Sequence, residues 1–302
     1  MTTLLTGASG FLGREIVKQI DIGEIQTLGR SNADYCVDLS REVPHVNGID
    51  LVIHCAGKAH VIPKTEAERA DFFDVNVKGT ENLLSGLSKM AALPRQFILI
   101  STVAVYGKQE GKGINEETPL KASDPYGQSK ILKEQLVREW CDKHLVICSI
   151  LRLPLLVGAD APGNLGAMIR GIEKGYYFNI GGGTAKKSMV LSKDVASVMS
   201  KVAPVGGTYN LTDGYHPSFA ELSTLIARQI GKSKPLNLPR WMANVLAKVG
   251  DLIGNSSPIS TSKLKKITSD LTFDDAKARR ILNWQPEEIL KGFNIKNNLN
   301  NK

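Results

Sequence analysis

The N-terminal segment constrains the fold of this chain more than any other. Residues 3–6 (TLLT) have the composition of a short buried strand and lead directly into Gly7, Gly10 and Gly13, in a G-x-x-G-x-x-G spacing. Apolar side chains at helical spacing follow over residues 16–20. A strand, a glycine-rich turn and a helix in this order are the context of a dinucleotide-binding fingerprint. The glycines allow a tight turn, and the free N–H groups at the helix start bind a pyrophosphate.

The chain continues as an alternation of strands and helices. Strands are predicted near 3–6, 25–28, 35–37, 51–55, 96–101 and 145–151, with helices near 11–20, 65–91 and 126–142. This alternation predicts an α/β fold of the Rossmann type, with a doubly wound parallel sheet covered by helices on both faces. Beyond residue 154, shorter elements broken by Gly and Pro predict a smaller C-terminal lobe.

A second motif follows Pro125, which suits the start of a helix. Tyr126 and Lys130 are separated by four residues, so a helix places both side chains on one face. An ammonium beside a phenol favours the phenolate and lowers a pKa that is normally about 10. The pair is therefore predicted to move a proton to or from a sugar hydroxyl. Such spacings are also common on solvated helix faces, so the prediction depends on the accompanying motifs.

Together the two motifs resemble the extended short-chain dehydrogenase/reductase superfamily, and in particular its NAD-dependent nucleotide-sugar epimerases, dehydratases and 4-ketoreductases. The resemblance extends from Thr3 to about Pro286. It is supported by segments 52–57 (VIHCAG), 76–80 (NVKGT), 100–107 (ISTVAVYG), 150–154 (ILRLP) with Gly158, and 275–286 (DAKARRILNWQP).

The resemblance implies a role for each matching residue. Thr102 would hydrogen-bond the sugar O4, Tyr126 would exchange the O4 proton, and Lys130 would hold the Tyr126 phenolate and contact the nicotinamide ribose. The cofactor would also contact Gly7, Gly10, Phe11, Leu12, Gly13, Arg30, Asp38, Leu39, Cys55, Ala56, Gly57, Lys58, Asn76 and Leu153. The substrate would contact Thr102, Val103, Tyr126, Asn164 and Lys187. Many relatives have an arginine for the diphosphate where this chain has Lys187, which keeps the charge but loses the planar fork.

The segment after the second strand bears on the cofactor. Folds that prefer NAD usually place an Asp or Glu there, on the ribose 2′-OH. Here the strand ends in Gly29, Arg30, Ser31 and Asn32, and Arg30 can pair with a 2′-phosphate. We therefore expect NADP(H) ahead of NAD(H). Asp38 matches the family position near the adenine, which suits either cofactor.

The residues after Thr102 bear on the reaction. Nucleotide-sugar 4,6-dehydratases have an Asp-Glu pair there, whereas this chain has Val103 and Ala104, which move no proton. Residues 56–61 (AGKAHV) resemble bacterial surface-polysaccharide enzymes that act at C4 of UDP-sugars. We expect a UDP-4-keto-6-deoxy-N-acetylhexosamine 4-reductase. The alternative is a 4-epimerase of UDP-glucose or UDP-N-acetylglucosamine, and a remote one is a non-catalytic nucleotide sensor.

The composition limits the kinds of ligand and partner that we expect this protein to bind. The net charge is +8, but the basic residues are scattered apart from 263–266 and the tail, and the chain has no nucleic-acid-binding motif, so a nucleotide-sugar is the expected partner. The four cysteines lack metal-ligand spacing, which predicts reduced thiols and no metal. A first strand within three residues of the start and the lack of a long apolar run predict a cytoplasmic protein without a signal peptide or transmembrane segment. The resemblance allows a homodimer.

The resemblance also divides the chain. Residues 1–154 would form the dinucleotide-binding domain, 155–190 and 213–270 the substrate lobe, and segments near 191–212 and 271–285 would return to the large domain. Residues 295–302 are expected to be a polar tail. The amphipathic stretch 241–253 (WMANVLAKVGDLI) is expected to pack its apolar stripe inside the small lobe, with attachment to a membrane surface as the alternative.

Overall fold

The computed structural model describes residues 1–19, 23–59, 61–253 and 260–295. The strands are β1 (Thr2–Thr6), β2 (Glu24–Gly29), β3 (Tyr35–Cys36), β4 (Leu51–His54), β5 (Gln96–Thr102), β6 (Gly111–Ile114), β7 (Ile147–Leu153), β8 (Leu155–Val157), β9 (Asn179–Ile180), β10 (Met189–Leu191), β11 (Gly207–Asn210), β12 (Asn237–Leu238) and β13 (Leu271–Phe273).

The helices follow the same chain order. They are α1 (Phe11–Gln19), α2 (Glu66–Phe73), α3 (Gly79–Leu87), α4 (Pro125–His144), α5 (Gly163–Glu173), α6 (Ser192–Ser197), α7 (Met199–Val202), α8 (Phe219–Gln229), α9 (Arg240–Ile253), α10 (Thr261–Thr268), α11 (Ala276–Leu282) and α12 (Ile289–Gly292). A π-helical turn (Asp74–Lys78) joins α2 to α3, and a 3₁₀ turn (Val103–Tyr106) follows β5.

Within the described residues, seven strands form one parallel sheet in the order β11-β7-β5-β4-β1-β2-β3. The chain builds outward from β1 in one direction through β2 and β3, and in the other through β4, β5, β7 and β11. The strand order therefore reverses between β1 and β4, and ligands of such sheets bind outside the carboxyl ends of the strands at this point. The predicted doubly wound parallel sheet is confirmed.

Both faces of the sheet are buried. Leu4 and Leu5 are consecutive residues of β1, so their side chains point to opposite faces. Leu4 packs in a core cluster with residues of α3 and α4, whereas Leu5 packs with residues of α1, α6, α7 and α11. This double burial explains why the central strands β4 and β5 contain runs of consecutive apolar residues rather than an alternating pattern.

The segments after residue 154 divide between two packing environments. Val195, Leu211 and Trp284 belong to the core cluster on the large sheet. A separate cluster joins β8, β10, α5, α8 and α12, and a small one joins Ala243 and Ala247 of α9 to Leu264 of α10. On this packing we propose the division into a dinucleotide-binding domain and a substrate lobe that the sequence suggests. Residues 296–302 of the predicted tail lie outside the described residues.

Two sequence predictions need correction. The segment predicted as a single helix over 65–91 consists of α2, the π-helical turn and α3. In that turn the Asn76 side chain is hydrogen-bonded to the Lys58 backbone and to Ser129, and the regular α-helix is interrupted there. The apolar stripe of α9 does not pack inside the lobe: Ala243 and Ala247 face inward, whereas Trp241 and Val245 are exposed. Among the described helices, none combines the length and apolar character needed to cross a bilayer.

A buried ion pair connects α4 to the sheet. The Arg152 guanidinium on β7 donates to the Glu134 carboxylate on α4, with Nη2 2.7 Å from Oε2. Ser101 at the end of β5 also donates to Glu134. On its other side Arg152 donates to the Tyr106 hydroxyl at 3.1 Å, which in turn donates to Asn210 of β11 at 2.7 Å. The network therefore links α4 to three strands of the sheet, and each of its charges has a partner.

We expect Glu134→Ala to lower the free energy of unfolding by about 3–5 kcal/mol, because it leaves the Arg152 cation buried without its partner. Urea denaturation measures the change. Glu139→Ala on the exposed side of the same helix is the matched control and should change the free energy by no more than about 0.5 kcal/mol. Equal effects of the two substitutions would contradict the importance of the buried pair.

Candidate active site

The glycine-rich loop between β1 and α1 is too tightly packed for side chains. Gly7 has φ +74°, and a Cβ built there would lie 2.7 Å from the Ala56 amide nitrogen. A Cβ on Gly13 would lie 2.1 Å from the Gly7 carbonyl oxygen, and one on Gly10 would lie 3.1 Å from the same oxygen. The loop thus brings the backbone of the first turn of α1 against the ends of β1 and β4. This arrangement fits the pyrophosphate of a dinucleotide.

The two residues after Gly10 differ in their surroundings. Leu12 is buried in the core, so only its backbone is available to a ligand. The Phe11 ring packs on Gly158 in the turn after β8, where a Cβ would lie 2.7 Å from Cζ. Phe11 therefore joins the glycine-rich loop to the turn after β8.

The ends of β2 and β3 hold the residues expected near the adenosine. Asp38 accepts hydrogen bonds from the Ser40 hydroxyl at 2.7 Å and the Ser40 N–H at 3.1 Å. The Ser40 hydroxyl lowers the pKa of Asp38 most, and the positive charges of Arg41 and Arg30 lower it further. Arg30 is exposed, and Leu39 is buried in the core. The Asp38 carboxylate, held by Ser40, and the exposed Arg30 guanidinium thus lie at the same edge of the sheet.

A chain of hydrogen bonds fixes the backbone after β4. The Ala56 N–H donates to the Thr6 hydroxyl at 3.1 Å, and Thr6 Oγ1 lies 2.6 Å from His54 Nδ1. His54 Nε2 lies 3.0 Å from the Thr80 hydroxyl, which donates to the Asn76 carbonyl oxygen. Because the Thr80 hydroxyl proton is used in that bond, Nε2 must be the protonated nitrogen of His54. Burial places the pKa of His54 well below its usual value, which keeps the ring neutral in this role.

The Asn76 side chain joins the segment after β4 to α4. Its Oδ1 accepts from the Lys58 N–H at 2.8 Å, while its Nδ2 donates to the Lys58 carbonyl at 3.1 Å and to the Ser129 hydroxyl at 2.9 Å. The Ser129 hydroxyl donates in turn to the Tyr126 carbonyl. A Cβ on Gly57 would lie 2.9 Å from Asn76 Oδ1. The backbone therefore follows the Asn76 amide too closely for a side chain at Gly57.

Cys55 lies at the start of this segment and is itself held in the sheet. Its N–H donates to the Thr6 carbonyl oxygen at 3.2 Å. Burial raises the pKa of the Cys55 thiol to about 12, so the group is an uncharged neighbour of the site rather than a thiolate. All four cysteines of the chain, which lie within the described ranges, are free.

Thr102 and Tyr126 meet at the carboxyl end of β5. Asp124 caps α4 by accepting from the Gly127 N–H at 3.0 Å, which places Tyr126 in the first turn of the helix. Thr102 Oγ1 accepts from the Ala104 N–H at 3.2 Å and is hydrogen-bonded to the Tyr126 hydroxyl. The two hydroxyl groups expected to handle a sugar oxygen are thus in direct contact.

Lys130 lies one turn further along α4 and is buried. Its ammonium donates to the Ile100 carbonyl oxygen at 2.9 Å. Burial lowers the pKa of Lys130 to about 8, although the negative charge of Glu134 would favour the cation. The expectation that Lys130 lowers the pKa of Tyr126 is wrong for this structure. Burial raises the pKa of Tyr126, and the hydrogen bond with Thr102 opposes this rise.

The sequence analysis did not predict that a second lysine is buried beside the site. Lys133 is fully buried, and its ammonium donates to the Ala56 carbonyl oxygen at 2.6 Å. Burial and the neighbouring Lys130 hold its pKa well below the usual value. A Cβ on Gly57 would lie 3.8 Å from both lysine nitrogens. The i,i+3 spacing of Lys130 and Lys133 on a helix was the signal that could have placed Lys133 beside the site.

The remaining predicted residues are spread along the carboxyl edge and the small lobe. Val103 follows Thr102 in the 3₁₀ turn, and Leu153 is buried at the end of β7. Asn164 is exposed in the first turn of α5. Lys187 is buried, and its ammonium donates to the carbonyl oxygens of Lys266 at 2.8 Å and Ser269 at 2.6 Å. Lys187 thus binds carbonyl groups at the C-terminal end of α10.

The fold and this arrangement define an enzyme of the extended short-chain dehydrogenase/reductase type. Residues 3–211 match the family described as the NAD dependent epimerase/dehydratase family, and the chain belongs to that family. Its relatives include the N-acetyl-alpha-D-glucosaminyl-diphospho-ditrans,octacis-undecaprenol 4-epimerase of Escherichia coli O157:H7, which is 26% identical over 91% of this chain and 87% of the relative. The UDP-glucose 4-epimerase of Vibrio cholerae is 27% identical over 96% of this chain and 92% of the relative.

Solved structures agree on the fold. RMD from Pseudomonas aeruginosa, solved in complex with NADPH, superimposes with a TM-score of 0.71. The alignment covers 96% of this chain and 95% of the other, at 21% identity. Similarity at this level of identity concerns the fold alone, and it includes the sheet whose carboxyl edge holds the residues described above.

The buried Lys130 leads to a prediction about stability and pH. Between pH of about 8 and 10.5 the folded chain has lost the Lys130 proton while an unfolded lysine keeps it, so stability should rise with pH in this window. We expect Lys130→Met to be more stable than the wild type by about 2 kcal/mol near pH 7, and this advantage to shrink as pH rises through the window.

Urea denaturation at several pH values between 7 and 10 measures the difference. Lys143→Met, which removes an exposed lysine from the last turn of the same helix, is the control and should show no pH-dependent gap. If the difference in unfolding free energy between Lys130→Met and the wild type stayed constant with pH, Lys130 would not be buried as a cation at neutral pH.

Proposed function

We propose that this protein is an NAD(P)-dependent enzyme that acts at C4 of a hexose carried on a diphosphate, and that the reaction is 4-epimerisation. The observation that supports this most is the contact between the Thr102 and Tyr126 hydroxyls at the carboxyl end of β5. Two such hydroxyl groups can hold one sugar oxygen and exchange its proton. The glycine-rich loop at the neighbouring strand supplies the place for a dinucleotide.

The roles of the side chains follow from their protonation. Because burial raises the pKa of Tyr126, its phenol is protonated at neutral pH and is ready to give a proton to a C4 ketone. Removing the O4 proton in the reverse direction needs the phenolate, which the hydrogen bond with Thr102 favours. Thr102 would orient O4 by a hydrogen bond. A bound nicotinamide dinucleotide supplies reversible hydride transfer.

Two observations bear on the type of reaction. The sequence alone ranks a 4-reductase first because of Arg30 and the resemblance of residues 56–61, whereas the two relatives described above, aligned along 87% and 92% of their length, are named as 4-epimerases. We therefore place epimerisation first. A 4-reductase that uses NADP(H) is the second candidate, favoured by the exposed Arg30 guanidinium after β2. Val103 and Ala104 offer no side chain for the proton transfers of a 4,6-elimination.

The carrier of the hexose is UDP or another diphosphate. UDP is the carrier in the name of the Vibrio relative, and a polyprenyl diphosphate is the carrier in the name of the Escherichia coli relative. Both present a diphosphate linked to the anomeric carbon, so the chemistry at C4 is the same. The proposed substrate class is therefore a glucose or N-acetylglucosamine diphosphate conjugate.

The experiment mixes the purified protein separately with UDP-glucose, UDP-N-acetylglucosamine and a polyprenyl-diphosphate-linked N-acetylglucosamine, and resolves the products by chromatography. We expect interconversion of C4 epimers without net consumption of NADH or NADPH. Net oxidation of NADPH by a UDP-4-keto-6-deoxy sugar, with no epimerisation of any conjugate, would favour the reductase instead. Binding of the conjugates without turnover of any substrate would favour a nucleotide sensor.

In the same assay we expect Tyr126→Phe to lower turnover by about 10²–10⁴-fold, because the ring stays but the proton donor is lost. Cofactor binding, measured by fluorescence titration, should stay within about threefold. Tyr209→Phe is the control, since that buried hydroxyl donates to the Gly206 carbonyl oxygen next to β11. A Tyr126→Phe variant with more than about a tenth of the wild-type turnover would remove Tyr126 from the mechanism.

A further inference from the structure

Helix α9 in the small lobe has an outward-facing apolar surface. Side chains follow one another by 100° around a helix, so its exposed apolar residues cover a continuous sector of about 140°. They are Trp241, Met242, Val245, Leu246 and Val249, of which Trp241 is 68%, Val245 55% and Val249 49% exposed. The inward side holds the small residues Ala243, Ala247 and Gly250. The helix thus rests on its neighbours through small side chains and directs its large apolar ones to solvent.

The apolar surface continues beyond the helix. Leu236 in the segment before β12 and Phe178 before β9 are both exposed. The two segments are adjacent, because the Asn179 N–H donates to the Leu236 carbonyl oxygen at 2.9 Å. Exposed apolar surface of this extent is unusual on a protein surface and marks a site of interaction.

The charge of the same region is strongly positive. Residues 231–269 contain seven basic residues and one acidic residue, a net +6 out of +8 for the whole chain. The single acidic residue, Asp251, is bonded to the N–H and hydroxyl of Thr261. The basic residues are Lys232, Lys234, Arg240, Lys248, Lys263, Lys265 and Lys266. Arg240 and Lys248 lie on the polar side of α9, next to the apolar sector.

We propose that the small lobe docks through α9 on the surface of an anionic lipid bilayer, with the helix lying parallel to the membrane plane. A tryptophan and branched aliphatic side chains beside lysines and arginines match the boundary between acyl chains and anionic headgroups. A second copy of this chain fits the surface poorly, because it would bring two segments of charge +6 together. The proposal is independent of the reaction, since docking needs no substrate.

The test is flotation of the full-length protein with vesicles of phosphatidylcholine alone or mixed with about one-third phosphatidylglycerol. We expect binding to the anionic vesicles, weakening as salt increases, and none to phosphatidylcholine alone. The double variant Val245→Ser/Val249→Ser should bind at least about tenfold more weakly. Arg240→Gln/Lys248→Gln should lose about fivefold for each cation removed.

The matched control is Val17→Ser/Val205→Ser, which removes two valines that are 47% and 48% exposed on other parts of the surface. It should bind within about twofold of the wild type. A direct measurement on the unmodified protein is quenching of Trp241 fluorescence by brominated lipids, with Trp241→Phe as the reference for the other two tryptophans.

Equal binding to neutral and anionic vesicles, or equal binding by the α9 and control variants, would overturn the proposal. So would the lack of Trp241 quenching at vesicle concentrations where the protein floats. Self-association of the wild type in sedimentation, abolished by Val245→Ser/Val249→Ser without any vesicle binding, would assign the surface to a second copy instead.

Discussion

The face of α4 that turns toward the sheet is polar, and burying it fixes the geometry of the site. Lys130 and Lys133 donate to the carbonyl oxygens of Ile100 and Ala56, and Glu134 pairs with Arg152. A buried charge without a partner costs several kcal/mol, so these three interactions together hold the rotation and height of the helix. That position sets Tyr126, in the first turn of the same helix, against Thr102.

The segment after β4 is held as firmly as the helix. The Asn76 amide bonds it on one side, and the His54 ring, bonded to Thr6 and Thr80, fixes the strand end on the other. The π-helical turn around Asn76 is therefore part of the site's construction rather than an irregularity. Gly57 lies where Asn76 and the two lysines converge, which leaves the backbone itself as the surface facing a cofactor.

Much of the fold was predictable because it follows from local sequence. The strand, the glycines and the helix at the start of the chain predict a βα unit. The alternation of strand and helix segments predicts a parallel sheet. The sequence also singled out Thr102, Tyr126 and Lys130 as candidate site residues. It could not give the raised pKa of Tyr126, since burial depends on which tertiary neighbours surround the phenol.

The differences between the sequence-based expectations and the structure have physical causes. Lys133 appears as an ordinary helical lysine until its carbonyl partner on Ala56, 77 positions away in the chain, is known. Lys187 appears as a phosphate-binding cation until it is seen to bind the carbonyl groups at the end of α10. The periodicity of α9 shows that the helix is amphipathic, but small residues rather than large ones face the lobe. Periodicity alone does not say which side of a helix meets solvent.

The central claim is that this site oxidises and reduces C4 of a sugar by hydride transfer, with Tyr126 moving only the O4 proton. The most direct measurement follows UDP-N-acetylglucosamine labelled with deuterium at C4, and unlabelled substrate in deuterated water, by NMR and mass spectrometry of the products. The account predicts that the label stays at C4 in the epimerised product and that no solvent deuterium enters C3, C4 or C5. Loss of the C4 label, or solvent deuterium at any of these carbons, would contradict it.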